Sequence, residues 1–290
     1  MADFNPKQYD QHNPLKKYFR TPKVYITLPS EGKFYPEGVI EIPENGEIPV
    51  FAMTAKDELA IKTPDALLNG QATVDVIQSC VPAIKNAWQL PSVDLDAILI
   101  AIRIATFGET LDLHTTVPRT DIEKTYSVDL RILLNRLVSC KFEEKLEIEN
   151  FQVTVRPLNY KEYTEAALKT FEEQRIFALV NNDDISEAEK LAKFGESFRK
   201  LTELTVFTIS KSIVNIKIDD EEVSNPAHID EFIANVDKSF YNALSKHLEK
   251  QKEMFSTQPI EISSTDEEVE AGAPAKWTLP IVFDQSNFFV

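Results

Sequence analysis

Four histidines, two cysteines and 47 carboxylates are the side chains with which this 290-residue chain could do chemistry. A metal centre needs convergent Cys, His or carboxylate ligands at suitable spacing. His12, His114, His228 and His247 are scattered, and neither C-x-x-C nor H-x-x-x-H occurs. Two thiols in so long a chain, Cys80 and Cys140, point to a reducing compartment and not to a disulfide scaffold. Cys140 sits beside an apolar helix end and reads as a core thiol. Nucleophile-elbow G-x-S-x-G, phosphate-binding G-x-x-x-x-G-K and dinucleotide-binding G-x-G-x-x-G patterns are all missing, and seven glycines leave few loops to cradle a phosphate. Glu162 and Glu165, or Glu172 and Glu173, have the spacing of a wet helix face. Among so many carboxylates spacing alone selects no acid–base pair. The expectation is a protein without catalytic residues, cofactor or metal.

Charge narrows the partners. The formal net charge is −16. Such a surface repels phosphate backbones and anionic headgroups, so no nucleic-acid partner is expected. A basic stretch, Lys7, Lys16, Lys17, Arg20 and Lys23, is diluted by Asp3 and Asp10. No apolar run approaches the ~18 residues a membrane span needs, and the first residues lack the apolar core of a signal peptide.

The elements that would position any site follow from periodicity. Residues 1–23 read as an extended arm that is polar and Pro-containing, yet studded with Phe4, Tyr9, Tyr18 and Phe19. Its bland reading is a solvated arm, but disordered tails seldom carry so many aromatics, so the arm is expected to dock on its own domain or a neighbour. Residues 24–157 read as an α+β domain. Strands at 39–42 and 48–51 flank the turn Pro43-Glu44-Asn45-Gly46 as a hairpin. Thr54 and Asp57 then suggest a capping box opening helices over 55–62, 64–69 and 71–81. Segment 93–107 is apolar nearly all round and predicts a buried helix, with Arg103 pairing to a carboxylate or snorkelling out. Alternation marks strands at 110–117 and 122–126, a short helix at 129–138 and a hairpin around Glu149-Asn150.

Residues 158–255 read as a helical domain, with helices over 160–180, 186–213 and about 228–252. Leu191, Phe194, Phe198 and Leu201 form one apolar stripe on the second. Residues 256–276, with Asp266, Glu267, Glu268 and Glu270 together, read as an acidic linker, and 277–290 as a strand and aromatic tail ending in Phe288 and Phe289. The fold class is therefore α+β, mostly helical with short antiparallel hairpins. Phe4, Tyr9, Tyr18, Phe19, Arg20, Phe288 and Phe289 are the candidate partner-binding residues.

Several ordered stretches carry a resemblance. Asn13-Pro14-Leu15-Lys16-Lys17-Tyr18-Phe19-Arg20-Thr21-Pro22 and Leu28-Pro29-Ser30-Glu31-Gly32-Lys33-Phe34-Tyr35 come first. Met53-Thr54-Ala55-Lys56-Asp57-Glu58, then Arg103-Ile104 with Phe107-Gly108, and the closing Leu279-Pro280-Ile281-Val282-Phe283-Asp284-Gln285-Ser286-Asn287-Phe288-Phe289 complete the set. Together they resemble the baseplate hub and hub-assembly proteins of T-even-type, contractile-tailed phages. The resemblance covers both ends and much of the first 110 residues; between 160 and 250 it extends only to helical character.

It implies a structural component or assembly factor of the hub, made in the host cytoplasm and located in the virion's tail. The partners it implies are other hub or tail proteins in a symmetric multicopy assembly, with the tape-measure protein among the candidates. A tail-assembly chaperone that leaves before the virion matures is the alternative. The resemblance further implies C-x-x-C pairs, which many such relatives carry after the buried helix and before the C-terminal strand, as a zinc ribbon would. Here those places hold Thr116-Val117-Pro118-Arg119-Thr120 and Glu267-Glu268-Val269-Glu270, so no zinc role carries over.

Overall fold

The computed structural model describes residues 14–62, 70–180 and 187–281, the side chains of 176–180 and 187–188 excepted. Helices and short antiparallel strands alternate in it, which makes the chain α+β. A 3-10 turn, Pro14–Tyr18, leads into β1 (Pro22–Ile26). β1 pairs antiparallel with β2 (Ile48–Phe51), Ile26 opposite Ile48 and Val24 opposite Val50. The hairpin expected between 39–42 and 48–51 does not form. Its turn does, since the Gly46 N–H donates to the Pro43 carbonyl at 2.8 Å. The partners differ because burial decides them: Ile48 and Val50 are fully buried beside Ile26, while Ile40 bridges to Ile84 instead.

Helix α1 (Ala55–Ile61) starts in the expected capping box, with Asp57 Oδ2 accepting from the Thr54 N–H at 2.8 Å and Thr54 Oγ1 accepting from the Asp57 N–H. α2 (Gln71–Cys80) follows; the helix expected at 64–69 lies outside the described residues. α3 (Ser92–Phe107) is the axis of the first core. Ile98, Ile100, Ala101 and Ile102 are fully buried on successive faces, as an all-apolar helix requires. Its first turn holds a buried carboxylate, Asp94, which accepts from the Ser30 N–H (2.8 Å), the Ser30 hydroxyl (2.5 Å) and the Tyr35 hydroxyl (2.9 Å). Arg103 neither snorkels out nor meets a carboxylate within ion-pair distance among the described residues. It is buried with its guanidinium 4.5 Å over the Phe107 ring and one N–H aimed at the Gly108 carbonyl, while the Asp112 charge favours its cation from beyond ion-pair distance.

Hairpin β3 (Thr110–Thr116) and β4 (Glu123–Asp129) turns Leu111, Leu113 and Val128 onto this core, and α4 (Leu130–Ser139) adds Leu130, Leu134 and Leu137. A second core forms around a four-stranded sheet. β5 (Lys145–Ile148) and β6 (Phe151–Val155) are the hairpin read from Glu149-Asn150. α5 (Tyr160–Val180) and α6 (Glu187–Lys211) come between β6 and β7 (Ile213–Ile218), which pairs with β6, and β8 (Glu221–Val223) closes the order β5-β6-β7-β8. The sheet therefore joins strands from both sides of residue 157. α7 (Pro226–Asn235) and α8 (Lys238–Met254) cover one of its faces, where the rings of Phe151, Phe232 and Phe240 stand 5.2–5.5 Å apart. The sequence suggested one helix here. Asp237 splits it, its carboxylate accepting from the Ser239 and Phe240 N–H groups as a fresh N-cap.

Residues 256–276 are more than a linker. They contain β9 (Ile260–Ser263) and α9 (Asp266–Glu270), the latter opened by a Thr265–Glu268 capping box. β10 (Lys276–Leu279) pairs antiparallel with β9, and Leu279 and Ile281 return to the first core.

Candidate interaction surfaces

Of the seven candidate residues, Phe4, Tyr9, Phe288 and Phe289 lie outside the described residues. The other three are contiguous and face different ways. Arg20 is turned inward. Its guanidinium donates to the Ala52 carbonyl (2.5 Å), the Ser79 carbonyl (2.6 Å) and the Ser79 hydroxyl (2.8 Å), and lies 3.5 Å from Asp57. Arg20 thus clamps β2, α1 and α2 at one point, using the fork geometry of a guanidinium. Tyr18 and Phe19, immediately before the clamp, are 74% and 58% exposed. Lys17 lies over the Tyr18 ring at 5.0 Å.

The α5–α6 hairpin carries a second apolar surface. The stripe on α6 points outward: Leu191 is 76%, Phe194 49% and Phe198 62% exposed, while Ser197 is buried. An ion pair from Lys200 to Glu173 (3.6 Å) ties α6 to α5, on which Phe171 is also half exposed. Spacing identified which residues share this face. It could not say which way the face turns, because that depends on how α5 and α6 meet.

A cavity of about 660 Å³ lies between the two cores, walled by α3, α5, α6 and α8. Sequence reading missed it, since its walls come from segments far apart in the chain. Asp96, Phe142, Tyr163, Ala167, Leu248 and Phe255 represent its lining. Asp96 Oδ2 accepts from the Thr257 N–H (2.8 Å) and hydroxyl (2.9 Å). Burial raises its pKa, and the two Thr257 bonds and the Arg136 charge partly offset that rise. Arg156, also lining, is held bidentate by Glu162 at 2.7 and 2.9 Å. The lining contains no His or Cys, and two of its charged groups, Asp96 and Arg156, are already taken up by partners.

The segments 116–120 and 267–272 meet in space. The Arg119 carbonyl stands 3.5 Å from where a Cβ on Gly272 would sit, and Lys124 forms an ion pair with Glu268. Among the described residues no three of His, Cys, Asp and Glu are placed to hold a metal ion. At this junction the chain has a Lys–Glu pair, with Val117 and Ala273 buried beside it in sequence.

A family described as T4 bacteriophage base plate protein matches residues 21–271. No curated protein and no solved structure matches the chain.

Proposed function

This chain belongs to the T4 bacteriophage base plate protein family, and from that premise we propose that it is a structural component or assembly factor of the baseplate hub in a contractile tail. It works by protein–protein contact and performs no catalysis. The observation that carries this reading is the pairing of Arg20 with Tyr18 and Phe19: a guanidinium locked into the fold holds two aromatic rings outward at its edge. Rigidly presented aromatics are the typical anchors of a protein interface, because little ordering entropy remains to be lost on docking. The outward stripe of Leu191, Phe194 and Phe198 supplies a second such surface, as a subunit with more than one neighbour needs. The partners are other hub or tail proteins, arranged as a symmetric multicopy assembly at the baseplate of the virion.

Mass spectrometry of purified virions tests the reading. Stoichiometric recovery of the chain, lost when Tyr18→Ser and Phe19→Ser are combined, is the expected result. A chain needed for tail assembly yet missing from virions would replace it with the chaperone alternative, a transient partner of the tape-measure protein.

A further inference from the structure

We propose that the outward stripe of α6 is an interface between two copies of this chain, paired antiparallel across a two-fold axis beside Gly195. The proposal deepens the reading above and rests on it only in treating the chain as a subunit with more than one neighbour. The order of the stripe comes first. Leu191, Phe194, Phe198 and Leu201 are spaced 3-4-3 and read the same from either end. That alternation is the one a helix uses to pack along another helix. A second copy laid antiparallel presents an identical surface: Leu191 stands opposite the partner's Leu201, and Phe194 opposite the partner's Phe198. A two-fold contact requires this kind of self-complementarity, in which position i meets j and j meets i. Lys200, on another face of α6, reaches Glu173, so α5 leaves the stripe open. Beyond Leu201 the same spacing continues in Thr205 and Thr208, which line the cavity, so the apolar part ends at Leu201.

Area and charge both permit the pairing. Phe171 lines the cavity together with Thr205 and so stands on the stripe's side of the hairpin. At ~150–250 Å² for a whole aromatic side chain, the exposed parts of Phe171, Phe194 and Phe198 come to ~250–400 Å², and Leu191 adds to them. That already matches the ~300–600 Å² of the largest apolar patch on an ordinary monomer. With the exposed Ala192, Thr202 and Thr205 beside it, the surface comes within reach of the ~800 Å² per partner of a standard interface. A chain of net charge −16 repels its own copy over most of its surface. α5 and α6 together carry eight Lys and Arg against eight Glu, so on this hairpin the repulsion lapses.

Gly195 is an independent observation. It lies inside α6 between Phe194 and Phe198, where glycine weakens a helix relative to alanine. A Cβ there would meet no atom within 4 Å among the described residues, and the backbone is not left-handed, so nothing in the single chain requires glycine at this position. The midpoint of the 3-4-3 pattern falls one residue away, at Glu196, so the two glycines of a pair flank the axis. A missing side chain at a helix crossing lets the two backbones approach closely.

Sedimentation of the purified full chain, with no other baseplate protein present, tests the proposal. The wild type should pass from monomer to dimer as concentration rises, and Phe198→Glu should raise the dissociation constant at least ~tenfold. Gly195→Ala is the sharper variant because its two effects have opposite signs. It should raise the melting temperature by about 1–3 °C at a dilution where both proteins are monomeric. It should also raise the dissociation constant at least ~tenfold, since the added methyl holds the backbones apart. An unchanged constant in either variant overturns the proposal. So does a wild type that sediments as a monomer at ~100 µM, where micromolar pairing would be saturated. Direction is read in a Cys140→Ser background, with Leu191→Cys and Leu201→Cys made separately and mixed. Cys80 is fully buried and stays out of the reaction. Oxidation should join the Leu191→Cys chain to the Leu201→Cys chain; disulfides joining either variant to itself mean parallel pairing and overturn the two-fold. A monomeric chain still recovered from virions would end this inference and leave the baseplate role standing, and a dimer missing from virions would do the reverse.

Discussion

Ser30 holds both carboxylate oxygens of Asp94, its N–H on Oδ1 at 2.8 Å and its hydroxyl on Oδ2 at 2.5 Å. This pair ties the loop after β1 to the first turn of α3. Burial raises the Asp94 pKa from the ordinary 3.8 to about 6, against the pull of the Ser30 and Tyr35 hydrogen bonds. The folded state therefore binds a proton here that the unfolded chain has released between those two values. The contribution of Asp94 to stability is complete below pH ~4 and is lost as pH rises through about 6. The loss amounts to about 2–3 kcal/mol at 1.36 kcal/mol per unit. Denaturant melts of the wild type and Asp94→Asn across pH 4–7 check this. The wild type should lose stability relative to the variant over that interval.

Ile98 and Ile102 lie one turn apart on α3 and are both fully buried. Either change to Ala leaves a cavity in a packed core and should cost about 2–5 kcal/mol. Equilibrium denaturation with an unchanged m-value measures it. A loss below ~1 kcal/mol would mean that this helix face relaxes freely.

The clamp and the rings beside it should separate experimentally. Arg20→Ala removes several charge-assisted hydrogen bonds and leaves the nearly buried Asp57 without its cation, for a loss of about 1.5–3 kcal/mol. Arg20→Lys should recover little, because an ammonium cannot reproduce the fork. Tyr18→Ser with Phe19→Ser should change stability by no more than ~0.5 kcal/mol, as exposed positions do, while abolishing incorporation into the baseplate. Melting curves beside virion composition decide between the two behaviours.

Lys124 and Glu268 join the β3–β4 hairpin to α9. The Lys124 ammonium, with help from the Thr265 N–H, holds the Glu268 carboxyl below the usual carboxylate range. A depressed pKa stabilises the fold above the ordinary value, and that stabilisation disappears as pH falls through the folded one. Glu268→Gln should therefore melt at a lower temperature than the wild type near neutral pH, with the gap closing in acid. Thermal melts at the two extremes read the difference.

How much of this was legible beforehand depended on the range of the interaction concerned. The Thr54–Asp57 cap, the α3 axis and the Glu149-Asn150 hairpin rest on neighbours in sequence, and each stands where periodicity placed it. The Pro43–Gly46 turn was equally local, but the partner of Ile48–Phe51 was settled by which strand could bury Ile48, a question of tertiary packing. Asp237 was overlooked because a cap inside a continuous apolar period looks like an ordinary polar position. The acidity of 256–276 masked a strand that needs Lys276–Leu279 to exist. Of the candidate site residues, Tyr18 and Phe19 are exposed as an anchor requires, whereas the inward fork of Arg20 depended on carbonyls at Ala52 and Ser79 that no local pattern announces.

α5 and α6, at 1.5 Å per residue, are rods of about 31 and 37 Å. They are rooted in different places. α5 begins at Tyr160, whose N–H donates to the Leu90 carbonyl and whose ring stacks on Trp88 in the first core. α6 ends at Lys211, with Ile209 of its last turn in the second core, and runs on into β7 there. A pair of stiff rods with separate footings is a lever. A load applied along their outward Phe residues is delivered as torque to the seam between the cores, where the cavity lies. Any partner that gripped this outward face would pull on the interior of the chain as well as on its surface.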